Sequence, residues 1–235
     1  MMKNLLKEIS LGFKTLRYGF QLKSNIALVV IFFGSGLVTE IFSGGEIFYG
    51  GLYMTICGIV PMQLICSLGV SDFAKTSPKR AHMETFIPSA CATVTMLVSY
   101  TILVIIKGIF CYLNPEKATE ISYQLIMCAG CCAMMLIYCG VVFKHFIISM
   151  ILLIGTMSVL GSYTGIMMVI EQDAGESFIF GIQSNSTFPH FGVAIIAGYL
   201  LVLIGGFLCW LLSKLFYKHE MSKFAYGAAL RKAMQ

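Results

Sequence analysis

Six long apolar runs divide the 235-residue chain, and they limit it to one class of fold. A run of about 20 apolar residues crosses the roughly 30 Å hydrocarbon core as a helix, because lipid offers the backbone no hydrogen-bond partners. Only 11% of the residues are charged, against roughly 25% in an ordinary soluble domain. We therefore predict an all-α membrane protein with six transmembrane helices. The predicted spans are about 25–43, 47–71, 88–113, 122–143, 146–170 and 191–216.

The basic residues lie on one side of the alternation that these spans create. Of the 16 lysines and arginines, 14 fall in the N-terminal segment, the second and fourth loops, and the tail. Lys107 and Lys117 lie toward the other side, where most acidic residues collect. The positive-inside rule then places both termini in the cytoplasm of a multi-pass protein of the cell membrane. The net charge of +5 reflects a rim beside anionic lipid and indicates no nucleic-acid partner.

Three regions follow from this pattern. Residues 1–24 are predicted to form an amphipathic interfacial helix, because apolar residues recur at three- and four-residue spacing beside basic ones. Lys7, Phe13, Lys14 and Arg17 represent its two faces. Residues 25–216 form the transmembrane domain, and 217–235 a cytoplasmic tail. The first helix is either a membrane anchor or an elbow that leads into the first span and transmits movement.

A polar cytosolic segment, 72–87, separates the second span from the third. Ser77 is predicted to cap a short helix with Pro78 at its first position, where a missing N–H costs nothing. This helix would run through Arg80 and Met83 to Glu84. The segment is either a solvated basic loop or a surface on which a partner protein docks.

Few polar or special residues interrupt the spans. Glu40 and Lys107 lie near outer span ends, and we expect both to reach the headgroups by snorkelling rather than to form a buried pair. Pro61 is expected to kink the second span, because its ring removes a backbone hydrogen bond. All nine cysteines fall inside predicted spans, which indicates apolar packing and no metal site.

The order of parts resembles that of type-2 ATP-binding-cassette exporter permeases. The similarity covers the layout of the whole chain, with Ser77-Pro78-Lys79-Arg80 as its local motif. It implies a subunit that dimerises, docks each copy on a separate ATPase through the segment after the second span, and passes cargo along the seam between copies. Permeases of this length are similar to those that export bacteriocins, lantibiotics or amphipathic peptide toxins.

The resemblance also implies roles for particular residues. The residues expected to couple to the ATPase are Asp72, Lys75, Ser77, Pro78, Lys79, Arg80, Met83 and Glu84. Small and aromatic residues expected along the seam are Phe32, Phe33, Gly34, Gly36, Tyr53, Pro61 and Gly161, which would otherwise pack helices or face lipid. The chain contains no G-x-x-x-x-G-K-[ST] phosphate loop. We therefore expect a transport subunit that is not an enzyme and binds no cofactor, with ATP and Mg on the partner chain.

Two other classes of function remain open from the sequence. One is the substrate-binding membrane component of an importer, such as a vitamin-capturing subunit, which would work as a single copy with a closed pocket. The other is a non-transporting immunity or scaffold protein of the membrane, which would stimulate no ATPase.

Overall fold

The computed structural model of the chain is a bundle of helices. It describes residues 2–18, 22–45, 48–68, 80–142, 144–151, 153–155, 158, 178–179, 182–183 and 191–218. The helices are α1 (Met2–Thr15), α2 (Leu22–Phe42), α3 (Phe48–Ile56), α4 (Ile59–Leu68), α5 (Arg80–Leu113), α6 (Ala118–Val142), α7 (Phe146–Gly155) and α8 (Phe191–Leu215). Short 3-10 turns follow α1 (Leu16–Tyr18) and precede α6 (Pro115–Lys117). Two strands, β1 (Phe178–Ile179) and β2 (Ile182–Gln183), pair antiparallel.

Within the part of the chain that the structure describes, four helical segments are long and apolar enough to cross a membrane. They are α2, α5, Pro115–Val142 (which contains α6) and α8. This number is compatible with a multi-pass membrane protein and agrees with the first, third, fourth and sixth predicted spans. The count of six spans stays a prediction, because the second span is interrupted and most of the fifth lies outside the described residues.

The helix interruption in the second span lies where the sequence predicts a kink. α3 ends at Ile56 and α4 begins at Ile59. The ring of a proline clashes with the carbonyl four residues earlier, which for Pro61 is that of Cys57. The chain there uses tighter bonds, with the Gly58 N–H donating to the Thr55 carbonyl at 3.1 Å. The kink expected at Pro61 is thus confirmed as a break of two residues.

The described part of the segment 72–87, which begins at Arg80, and the third predicted span form one continuous helix. The helix predicted through Arg80, Met83 and Glu84 is therefore the start of a longer one, and its predicted cap at Ser77 and Pro78 lies outside the described residues. α5 has 34 residues and contains Pro88, so at about 1.5 Å per residue it is about 51 Å long. Hydroxyl groups around the proline donate to carbonyls one turn back, including Thr85 to Ala81 and Ser89 to Thr85. With its length, α5 extends well beyond the roughly 30 Å hydrocarbon core.

The helix α6 lies at the centre of the bundle. In its most apolar stretch 61% of the residues are buried, against 17% in α2. Its closest neighbour is α8: a Cβ added at Gly140 would lie 2.8 Å from the carbonyl oxygen of Cys209, and one at Gly205 would lie 2.6 Å from Cα of Ala133. Only glycine permits so close an approach of two backbones, which is how helices associate in lipid.

Cysteines form part of this core. Of the eight that the structure describes individually as free thiols, only Cys111 is not fully buried. Cys128, Cys132, Cys139 and Cys209 belong to one cluster with methionines and leucines of neighbouring helices. Their packing role agrees with the sequence prediction.

The bundle has two chemically different ends. The helices α6 and α8 end beside the start of α5, as the 3.5 Å contact between the Ser89 and Ser213 hydroxyls shows for α5 and α8. We call this the basic end. Its described charges are mostly cationic, and the cations are Lys7, Lys14, Arg17, Lys23, Arg80, Lys144, Lys214 and Lys218. The opposite end carries Glu116, Lys117 and Glu120.

Candidate functional site

The N-terminal helix α1 packs against the first turns of α5. Gly12 faces α5 so closely that an added Cβ would lie 2.5 Å from the Cys91 sulfur and 2.7 Å from a methyl group of Ile87. Leu16, from the 3-10 turn after α1, packs on the same two residues. The helix expected at the N-terminus is present, and the structure shows in addition that it is held by tertiary contacts.

Polar and apolar contacts together join α1 to the first turns of α5. Met83 and Phe86 complete the apolar cluster around Ile87 and Cys91. At the surface, Oε2 of Glu8 lies 3.2 Å from Nε2 of His82, and both side chains are 41% exposed. Even a fully charged pair at an exposed surface stabilises by only about 0 to 1 kcal/mol. The apolar cluster is therefore the main attachment of α1 to α5.

Both the basic and the apolar side chains predicted to represent the faces of α1 are exposed. Lys7, Lys14 and Arg17 are exposed, as expected for lysines and arginines that reach headgroups. Phe13 is 38% exposed. Gly12 was not predicted as a contact residue. The sequence signal for this contact was a single glycine between the bulky residues Leu11 and Phe13.

The structure describes three of the eight residues predicted to couple to an ATPase. Arg80 and Glu84 form an ion pair on the first turns of α5, with Nε 2.6 Å from Oε1. This hydrogen bond raises the pKa of Arg80 above its ordinary value. Met83 faces α1. Asp72, Lys75, Ser77, Pro78 and Lys79 lie outside the described residues.

The residues predicted for a seam divide between the surface and the interior. The rings of Phe32 and Tyr53 are in contact across α2 and α3, with centroids 6.3 Å apart, and Tyr53 is 36% exposed. A Cβ at Gly34 would meet nothing within 4 Å. The other described seam residues, Phe33, Gly36 and Pro61, pack toward neighbouring helices, and Gly161 lies outside the described residues.

A buried ion pair connects α2 to α5 near the end opposite the basic end. Nζ of Lys107 lies 3.1 Å from Oε2 of Glu40, and both side chains are 0% exposed. The Lys107 ammonium also donates a hydrogen bond of 2.6 Å to the carbonyl of Gly45. The expectation that both residues reach the headgroups is therefore wrong.

The turn after α2 explains why this pair is buried. Gly44 and Gly45 adopt positive φ, which glycine does without steric cost, and the turn brings the Gly45 carbonyl to Lys107. A Cβ at Gly50 would lie 2.6 Å from Cγ of Glu40, so α3 covers the carboxylate closely. The signal available in the sequence was two opposite charges at the same expected depth of two spans.

The chain was compared with known protein families, curated proteins and solved structures. No protein family matches the chain, and neither a curated protein nor a solved structure matches it.

Proposed function

We propose that this chain is the transmembrane permease subunit of an ATP-driven exporter of the ATP-binding-cassette class. It would move amphipathic peptides or other amphipathic cargo out of the cell, with both termini in the cytoplasm. The observation that supports this most is the continuity of α5. One helix of 34 residues carries the Arg80–Glu84 pair at one end and a membrane-spanning stretch at the other.

In this mechanism α5 transmits force. Because residues 80–87 are continuous with the span, a push on them would move the span. The helix α1 follows, since Leu16 and Gly12 pack on Ile87 and Cys91. ATP and Mg bind to the partner ATPase, whose closure supplies the push. The chain's own residues supply the docking surface, the lever and the path for cargo.

A second copy of the chain would complete the path. The helix α2 is the least buried of the candidate spans, and among its described residues only Asn25, Gly36 and Glu40 are buried. Its outer face exposes Val30, Ile31 and Val38 by 53% or more. We place the seam on this face, beside the Phe32 and Tyr53 rings, where apolar side chains suit an amphipathic cargo.

The experiment that tests this function is ATPase stimulation in vesicles. The chain is reconstituted with the ATP-binding-cassette ATPases of the same cell, and ATP hydrolysis is compared with and without it. We expect stimulation by the wild type. Arg80→Glu should reduce it by about tenfold or more, because a like charge at a docking surface costs several kcal/mol and every 1.4 kcal/mol is tenfold.

The matched control is Lys144→Glu, which reverses another charge at the basic end outside the segment 72–87. It should keep the stimulation of the wild type. Wild-type stimulation that survives Arg80→Glu unchanged would contradict docking through this segment. No stimulation by any of these ATPases would instead favour an immunity or scaffold protein.

One observation favours a second candidate, a single-copy capture subunit of an importer. The burial of α6 by helices of its own chain gives the molecule a complete centre without a partner copy. Such a subunit would bind a small vitamin-like ligand tightly as one copy per complex. Counting copies in the purified complex distinguishes the two, because the exporter requires two permease copies around a seam.

A further inference from the structure

A groove opens at the basic end between the first turns of α5 and the last turns of α8. Its volume is about 940 Å³. Three of its lining side chains are apolar: Phe86, Leu211 and Leu215. Three others are Trp210 and the lysines Lys214 and Lys218. This groove lies beside α1 but does not involve the α2 face proposed as the seam.

The charges of the groove have one sign. Lys214 and Lys218 are both exposed, and Nζ of Lys214 lies 5.4 Å from the centroid of the Trp210 ring. The lining residues include no carboxylate. Of the described carboxylates beside them, Glu8 is in contact with His82 and Glu84 forms an ion pair with Arg80. An ammonium pair of this kind attracts a phosphate group, to which lysine binds as a point charge.

Two leucines of α8 line the groove beside the lysines. Leu211 and Leu215 are 41% and 64% exposed and lie on the last turns of the spanning helix α8. A tryptophan beside lysines at the end of a spanning helix is typical of the level of lipid headgroups. The groove therefore offers an apolar wall at the depth of acyl chains and two cations at the depth of phosphates.

We propose that this groove is a binding site for one anionic phospholipid, with an acyl chain against Phe86 and Leu211 and the phosphate at Lys214 and Lys218. Basic pockets between spanning helices on the cytoplasmic side are known to hold anionic headgroups. The proposal requires α5 and α8 to cross a bilayer. It does not require transport, so failure of the exporter function leaves it intact.

Trp210 provides a direct test, because it is the single tryptophan of the chain. The full chain is reconstituted in phosphatidylcholine vesicles that contain a small fraction of brominated lipid, either phosphatidylglycerol or phosphatidylcholine. Bromine quenches tryptophan fluorescence on contact, so the ratio of the two quenching curves measures preference for the anionic lipid. We expect a preference of about fivefold or more for phosphatidylglycerol.

Three variants make the test specific to the groove. Lys214→Gln/Lys218→Gln should remove the preference, and Lys214→Arg/Lys218→Arg should retain it. The control Lys7→Gln/Lys14→Gln removes the same number of exposed charges from the same end, on α1, and should leave the preference unchanged. Quenching is taken relative to each variant without bromine, because loss of the Lys214 contact changes the emission itself.

Three results would overturn the proposal. Equal quenching of the wild type by both lipids excludes an anionic lipid site. Equal loss of preference in the α1 control assigns the effect to the general surface charge. If deletion of residues 219–235 raises the quenching by both lipids alike, the tail of the chain, and not a lipid, fills the groove in the wild type.

Discussion

The pair Glu40 and Lys107 is the residue-scale feature with the strongest energetic consequence. A charge without water or a partner is costly, and removing one member of a buried pair destabilises by about 3 to 5 kcal/mol. Replacing both members by apolar residues of similar size is often neutral or stabilising. The pair thus stabilises the fold mainly because each charge spares the other from being buried without a partner.

We predict that Lys107→Met lowers the free energy of unfolding by about 3 to 5 kcal/mol, whereas Glu40→Met/Lys107→Met recovers most of the loss. Thermal or chemical unfolding in detergent measures both. Each variant lacks the hydrogen bond to Gly45, so their difference reports the unpaired carboxylate alone. Lys117→Met, at an exposed position near the same end, is the control. A double variant as unstable as the single one would show that the charge is not the cause.

At the scale of elements, the attachment of α1 to α5 depends on one glycine. Gly12 leaves no room for a side chain beside Cys91 and Ile87, while the helix otherwise carries bulky residues. α1 can therefore lie against α5 only in the register that places Gly12 at the contact.

We predict that Gly12→Leu displaces α1 and exposes Cys91. Overpacking costs about 1 to 3 kcal/mol, so labelling of Cys91 by N-ethylmaleimide should accelerate by about tenfold or more. Site-resolved mass spectrometry follows this cysteine, which is 0% exposed in the wild type. Gly34→Leu is the matched control, because a side chain there meets nothing within 4 Å. An unchanged labelling rate in Gly12→Leu would mean that α1 does not cover Cys91.

At the scale of the whole molecule, the exposed face of α2 distinguishes a dimer from a single-copy protein. Val30 on α2 and Ile196 on α8 are both 64% exposed. In a single copy of the chain, both would therefore face lipid equally. Only the proposed dimer makes them different, because α2 then lies at the seam and the exposed face of α8 lies in lipid.

We predict that Val30→Cys forms cross-linked dimers with a short bifunctional maleimide in native membranes, and that Ile196→Cys does not. Gel mobility under denaturing conditions gives the readout, and the unmodified chain controls for the native thiols. Equal cross-linking at both positions, or none at Val30, would contradict a seam on α2 and favour the single-copy alternative.

The sequence by itself determined the helical class of the molecule, its long apolar helices, the break near Pro61 and the concentration of cations at one end. These properties follow from single segments, since lipid requires each spanning backbone to satisfy its own hydrogen bonds. The pairing of Glu40 with Lys107, the docking of α1 at Gly12 and the groove beside Trp210 were decided only by the tertiary structure. They depend on which helix faces meet, and the periodicity of one segment carries no information about the partner that it packs against.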